Sequence, residues 1–138
     1  MSALPRSACS IKTVLVVDDY VPLCSLVARY LSSIGFRVLT ASDPIEAQRI
    51  VRSETWLEID LLLTDLEMPR MRGEELARWL SHERPETRVL FMSAERQSLR
   101  DVDAVVIEKP FSLATLSAAV REALAPEAQD LPVLSSAA

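Results

Sequence analysis

Short, nearly unbroken apolar runs alternate along this chain with longer stretches in which apolar residues recur every three or four positions. Residues 12–17 (KTVLVV) make a β-branched run of the kind that is buried on both faces of a parallel sheet. Leu23, Leu26, Val27, Tyr30, Leu31 and Ile34 follow at helical spacing, and Gly35 is a stop signal. Residues 37–40 (RVLT) read as a second strand. Asp43-Pro44 then opens a helix, with Asp43 as its cap, Pro44 in the first turn and Glu46 at the capping-box spacing. Residues 59–64 form a third strand, closed by Asp65. Gly73 opens a helix with Leu76, Trp79 and Leu80 on one stripe, ending before Pro85. Residues 88–92 (RVLFM) and 104–107 (AVVI) are the fourth and fifth strands, and the polar stretch 94–102 between them is a weak helix at best. Beyond Lys109-Pro110, a final helix is marked by Leu113, Leu116, Val120 and Leu124.

Strands alternating with helices imply a parallel sheet covered on both faces, with right-handed crossovers. The pattern fills residues 11–125 as one domain and leaves residues 1–10 and 126–138 as flexible ends. Composition sharpens this picture. At 138 residues, 49% apolar but only 5% aromatic, the chain supports one aliphatic core. A net charge of -5 argues against direct nucleic-acid binding. No apolar run approaches the roughly 20 residues of a membrane span, and the N-terminal MSALPRSACSIK lacks the apolar core of a secretory signal. Cys9 and Cys24 are too few for a disulfide framework, so a reduced, cytoplasmic protein is expected. His82 and those two cysteines do not make a zinc site of the usual spacing. Gly35 and Gly73, the two glycines, exclude both the dinucleotide fingerprint and the Walker loop.

In open α/β sheets the ligand site lies beyond the carboxyl ends of the strands, at the switch point in strand order. Here strand one runs into Asp18-Asp19, strand three into Asp65, strand four into Ser93, and strand five into Lys109 one residue on. With the flavodoxin-like order 2-1-3-4-5, strands one and three are neighbours and three carboxylates converge. Two unit charges about 4 Å apart repel by about 4 kcal/mol at an effective dielectric of 20. A divalent cation relieves that repulsion, and Mg²⁺ suits a sparse carboxylate site that keeps waters. Lys109 adds a point charge and Ser93 a hydroxyl donor. Acids, a metal, a lysine and a hydroxyl around one aspartate suit a phosphoryl group, with Asp65 as the nucleophile that forms an acyl phosphate.

The pieces VLVVDD (14–19), LLLTDLEMPRMRG (61–73), VLFMSA (89–94) and EKPF (108–111), in this order, resemble the receiver domain of two-component response regulators. Each piece alone is weak; all in register are specific, over roughly residues 11–125. The resemblance implies a (βα)5 fold and a phosphoacceptor that takes its phosphoryl group on Asp65 from a histidine kinase or histidine phosphotransfer protein. It implies Mg²⁺ held by Asp18, Asp19, Asp65 and the backbone carbonyl of Glu67. Ser93 becomes the switch hydroxyl, Lys109 the partner of the phosphoryl group, and Pro110 a candidate for a cis peptide. Glu67 and Glu95 flank the path of the hydrolytic water and are expected to tune phosphoryl lifetime. The output is altered binding of a downstream protein or of a second copy of the chain.

Two departures qualify the resemblance. Where the family commonly carries an aromatic or histidine on strand five, three residues before the lysine, this chain has Val106, which is too short and stiff for a rotamer switch. The response is therefore expected in residues 94–103. Ser93 and Lys109 are 16 positions apart, about one and a half helical turns fewer than is common, so the fourth helix is expected to be shortened or irregular. The wording is also similar to receivers attached to hybrid histidine kinases, although Met1 favours a stand-alone receiver. Simpler roles compete at several positions: Asp18-Asp19 as a helix cap, Trp79 and Leu80 as helix packing, His82 as an exposed residue, Tyr20 as a loop aromatic. Two other functions are kept open, a pseudo-receiver binding module without phosphorylation and a small aspartyl-phosphate phosphohydrolase, for which Glu67 stands two residues after the nucleophile.

Overall fold

The computed structural model describes residues 11–94 and 105–126. Five strands form one parallel sheet in the order β2-β1-β3-β4-β5. They are β1 (Thr13–Val17), β2 (Arg37–Ala41), β3 (Leu61–Asp65), β4 (Arg88–Ser93) and β5 (Val106–Glu108). Helices α1 (Val21–Ser33), α2 (Pro44–Ser53), α3 (Gly73–Glu83) and α4 (Leu113–Leu124) complete the described elements. Strand order and alternation match the expectation. The fifth strand starts later than its apolar run suggested: Val105 is 65% exposed, and Glu108 closes the strand opposite Ser93. The expected shortened fourth helix, the response segment from residue 95 to 103 and Glu95 lie outside the described residues.

The near-continuous apolar strands are explained by two cores, one on each face. Successive side chains of a strand point to opposite sides. Val14, Val16, Leu61, Leu63, Leu90 and Met92 therefore pack with Val27 and Leu31 of α1 and with Leu116 and Val120 of α4. Leu15, Val17 and Leu62 pack on the other side with Val51 of α2 and with Leu76 and Leu80 of α3. All residues of β1 and β3 are buried. On α1 the stripe is narrower than its apolar residues suggest, because Cys24, Val27 and Leu31 are buried while Leu26 is 50% exposed.

The helix ends correct some local expectations. Asp43 caps α2 by accepting from the Glu46 N–H at 2.8 Å, but Glu46 reaches back one residue further than a capping box, to the N–H of Ser42 at 2.8 Å. Neither Asp18 nor Asp19 caps α1; its N-cap is Tyr20, with no side-chain cap bond. Gly35 ends that helix with a φ of +109°, where a side chain would be strained. Trp79 serves packing and lies beneath the Arg52 guanidinium, 5.3 Å from its ring centroid, which ties α2 to α3. His82 is exposed and Tyr20 is 63% exposed.

Candidate functional site

The ladder does not stop where the strands end. Asp18 N–H donates to Ala41 O at 3.2 Å, Leu66 N–H to Met92 O at 2.8 Å, and Lys109 N–H to Ser93 O at 2.8 Å. The residues just past β1, β3 and β5 are thereby held in register with the sheet, at its carboxyl edge. Asp18, Asp19, Asp65 and Lys109 come together at this edge, while Ser93, at the end of β4, turns its hydroxyl to Glu67.

Three carboxylates meet there. Asp18, Asp19 and Asp65 each offer an oxygen, and these oxygens lie within 4.8 Å of one another. Asp18 is fully buried and Asp65 is 4% exposed, whereas Asp19 lies at the surface. Asp18 is doubly engaged: one oxygen accepts from the Tyr20 N–H at 2.9 Å, and the other takes the Lys109 ammonium at 2.8 Å. The same ammonium lies 3.4 Å from Asp65 Oδ2. Asp65 Oδ1 is buried and has no hydrogen-bond partner among the described residues. Burial pushes the Asp65 carboxyl from 3.8 up to about 7 against the pull of Lys109, and the charges of Asp18 and Glu67 push it further in the same direction. For Lys109, burial disfavours the ammonium, but its hydrogen bond to Asp18 and the charges of Asp65 and Asp18 outweigh that, so it stays firmly protonated.

A buried, unpartnered carboxylate oxygen in a cluster of three acids and one lysine is short of positive charge. Hard oxygen donors, few enough to leave room for water, fit Mg²⁺. The Lys109 ammonium, 3.4 Å from Asp65 Oδ2, also sets a positive charge beside an anion held at Asp65.

Two features escaped sequence reading. The first is Gly73, whose absent side chain is essential: a Cβ built there would lie 2.4 Å from the Asp65 carbonyl oxygen. Gly73 N–H also closes the turn after β3 by donating to Leu66 O at 3.0 Å. The turn itself contains Arg70 at a φ of 76°, a left-handed conformation uncommon for a residue with a side chain. The second is the side chain of Glu67, which accepts from the Ser93 hydroxyl at 2.6 Å and from the Ala94 N–H at 3.4 Å. A glutamate two residues past a strand gives no pattern from which that contact could be read. Val106 is partly buried in β5, in register with Phe91, and the Lys109–Pro110 peptide is cis.

Residues 14–121 match the model of the response regulator receiver domain. The chain belongs to that family. Among curated proteins, this receiver is 36% identical over 124 residues to the sensor kinase CckA of Brucella abortus, a match covering 86% of this chain and 13% of that protein. It is 32% identical over 122 residues to the regulatory protein VirG of Rhizobium rhizogenes, covering 82% of this chain and 48% of VirG. The receiver thus spans less than half the length of either relative. Among solved structures, the chemotaxis protein CheY4 of Vibrio cholerae superposes with a TM-score of 0.73 at 27% identity, covering 83% of this chain and all of that one. The response regulator TrrA of Thermotoga maritima, solved in complex with Mg²⁺-BeF, gives a TM-score of 0.70 at 26% identity, covering 83% of this receiver and 100% of TrrA. The chain is therefore a signalling domain of two-component systems with a CheY-like fold. No helix among the described residues is long and apolar enough to cross a membrane.

Proposed function

We propose that this receiver takes a phosphoryl group onto Asp65 from the phosphohistidine of a histidine kinase or histidine phosphotransfer protein, and that the modified domain binds its partner differently. The observation that carries the reading is the state of Asp65: a buried carboxylate with one oxygen unpartnered among the described residues, beside a lysine and two further acids. In the transfer, an Asp65 oxygen forms a bond to phosphorus as the phosphorus–nitrogen bond of the donor breaks. The electron pair of that bond returns to the imidazole. Hydrolysis later breaks the acyl phosphate with water, restoring the carboxylate and releasing inorganic phosphate and a proton.

Asp18, Asp19, Asp65 and the carbonyl of Glu67 would hold Mg²⁺, which when bound supplies positive charge to the acids and to the transferred oxygens. Lys109 shares its ammonium between Asp18 and Asp65 and so stands ready for an anion on Asp65. Ser93 supplies a hydroxyl at the end of the neighbouring strand. Glu67 and Glu95 are assigned to phosphoryl lifetime. The functional unit is residues 11–125, a cytoplasmic module with no direct contact to nucleic acid or membrane, whose targets are a downstream protein or a second copy.

The test is labelling by a small phosphodonor or a kinase with Mg²⁺. Wild type should gain an acid-labile, hydroxylamine-sensitive label that Asp65→Asn lacks and that EDTA prevents. An unchanged label in that variant, or full labelling in EDTA, overturns the assignment. Steady turnover of a phosphomonoester would instead support a phosphohydrolase, and failure to bind Mg²⁺ a pseudo-receiver.

A further inference from the structure

The phosphoacceptor reading leaves one short contact unused. Ser93, 1% exposed, donates its hydroxyl to Glu67 Oε2 at 2.6 Å, and the next residue, Ala94, directs its N–H at the other oxygen of the same carboxylate at 3.4 Å. A hydroxyl close to a carboxylate at this distance is a charge-assisted hydrogen bond, among the stronger kinds. The two donors come from consecutive residues at the carboxyl end of β4, the strand paired with β3 through Asp65 and Met92. They form a small cradle for an anion, and an anion occupies it. That anion belongs to the chain itself.

We infer that the Glu67 carboxylate is an internal occupant of the cradle formed by Ser93 and Ala94, and that it must withdraw before a phosphoryl oxygen on Asp65 can take those donors. The inference rests on the phosphoacceptor reading of Asp65. Its physical core is a count: a serine hydroxyl carries one proton and donates it once. Glu67 and a phosphoryl oxygen cannot both receive it. Electrostatics point the same way, since the Glu67 charge and a phosphorylated Asp65 two residues away repel each other.

The geometry allows the exchange. Leu66 N–H is fixed to Met92 O at 2.8 Å, and Gly73 N–H returns to Leu66 O at 3.0 Å, so the backbone on either side of the turn is held. On this frame the exchange asks for a rotation of the glutamate side chain and not for movement of the carbonyl of residue 67. Glu67 is thus a positioning residue that sets the threshold for activation. It holds the switch hydroxyl in the resting domain and releases it to a competing anion. The energetic form is a conformational tax, in which the apparent affinity of an activating anion falls by the fraction of molecules whose cradle is open.

The test uses the full chain with beryllofluoride and Mg²⁺ as the probe, in wild type, Glu67→Ala, Ser93→Ala and the double variant. If the cradle is open in about one molecule in five, Glu67→Ala raises beryllofluoride affinity about fivefold. In the Ser93→Ala background, where the hydroxyl no longer has to be released, the same change should give less than about twofold, the difference being a coupling between the two side chains. The Ala94 amide resonance of the resting protein should also move in Glu67→Ala. An equal gain in both backgrounds would mean that Glu67 acts by charge alone and would overturn the latch; so would no gain, or a loss, in Glu67→Ala. Failure of wild type to bind beryllofluoride at all would instead remove the phosphoacceptor reading, and the latch with it.

Discussion

Replacing Asp65 with asparagine should stabilise the metal-free receiver at alkaline pH while abolishing its function. The native carboxyl titrates near 7, against 3.8 for the free side chain. Between these values the folded protein holds a proton that the unfolded chain has lost. Stability is therefore unpenalised below about pH 4, falls as pH rises through the window, and reaches its full deficit above about pH 7. At about 1.4 kcal/mol per pH unit, a carboxyl moved from 3.8 to about 7 costs the fold at most ~4 kcal/mol. Asparagine removes the charge but brings an amide into the same buried place, so about 2 kcal/mol, roughly half that ceiling, is the expected gain. Lys109 keeps its 2.8 Å ion pair with Asp18, so the substitution strands no cation. The assay is urea unfolding in EDTA at about pH 8 and about pH 4.5, comparing midpoints at constant slope. The variant should be clearly more stable at the higher pH and about 1 kcal/mol less stable than wild type at the lower, where little of the charge penalty remains to be relieved but the buried amide keeps its cost. Adding Mg²⁺ at a hundred times its dissociation constant should return about 2.7 kcal/mol to wild type and much less to the variant. A variant no more stable at pH 8, or a gain undiminished at pH 4.5, would refute the claim that buried charge at Asp65 is held against the fold.

Gly73→Ala puts a methyl 2.4 Å from the Asp65 carbonyl oxygen; overpacking of this kind costs about 1–3 kcal/mol, and metal binding measured by titration should weaken with it because the strand end must shift. On α1, Leu31→Ala opens a cavity in the core and should cost about 2–5 kcal/mol, whereas exposed Leu26→Ala should stay within about 0.5 kcal/mol, a contrast that chemical denaturation resolves. Arg84 donates to the carbonyls of Val51, Glu54 and Leu57 at 2.9–3.1 Å. Arg84→Ala should therefore cost about 1–3 kcal/mol and speed amide exchange around residues 54–58, without changing labelling at Asp65.

The local pattern of the chain determined most of the architecture. Apolar runs too continuous for a half-exposed strand, separated by helical periodicity, required a parallel sheet with both faces covered, and residues 13–17 and 61–65 are buried throughout. Because strand ends in such a sheet share one edge, the sequence alone brings the acids after β1, the acid that closes β3 and the lysine after β5 to the same edge. Less legible was whatever depends on side-chain reach or on close approach across the fold. Leu26 and Leu31 are the same residue type on one helix, yet only the packed neighbours decide that Leu31 is buried and Leu26 half exposed. A capping-box spacing located the start of α2 but not which N–H Glu46 would meet. β5 begins at Val106, opposite Phe91, although Phe91 N–H also donates to the carbonyl of exposed Val105 at 3.1 Å, a boundary that the apolar run does not mark. Gly73 carries no chemistry of its own; its requirement exists only because the Asp65 carbonyl passes 2.4 Å from where its Cβ would be. The bond from Ser93 to Glu67 spans 26 positions of sequence. Periodicity reports the environment of a residue and its near neighbours, whereas such a contact is set by how two strands and a turn pack in three dimensions, which only the tertiary structure decides.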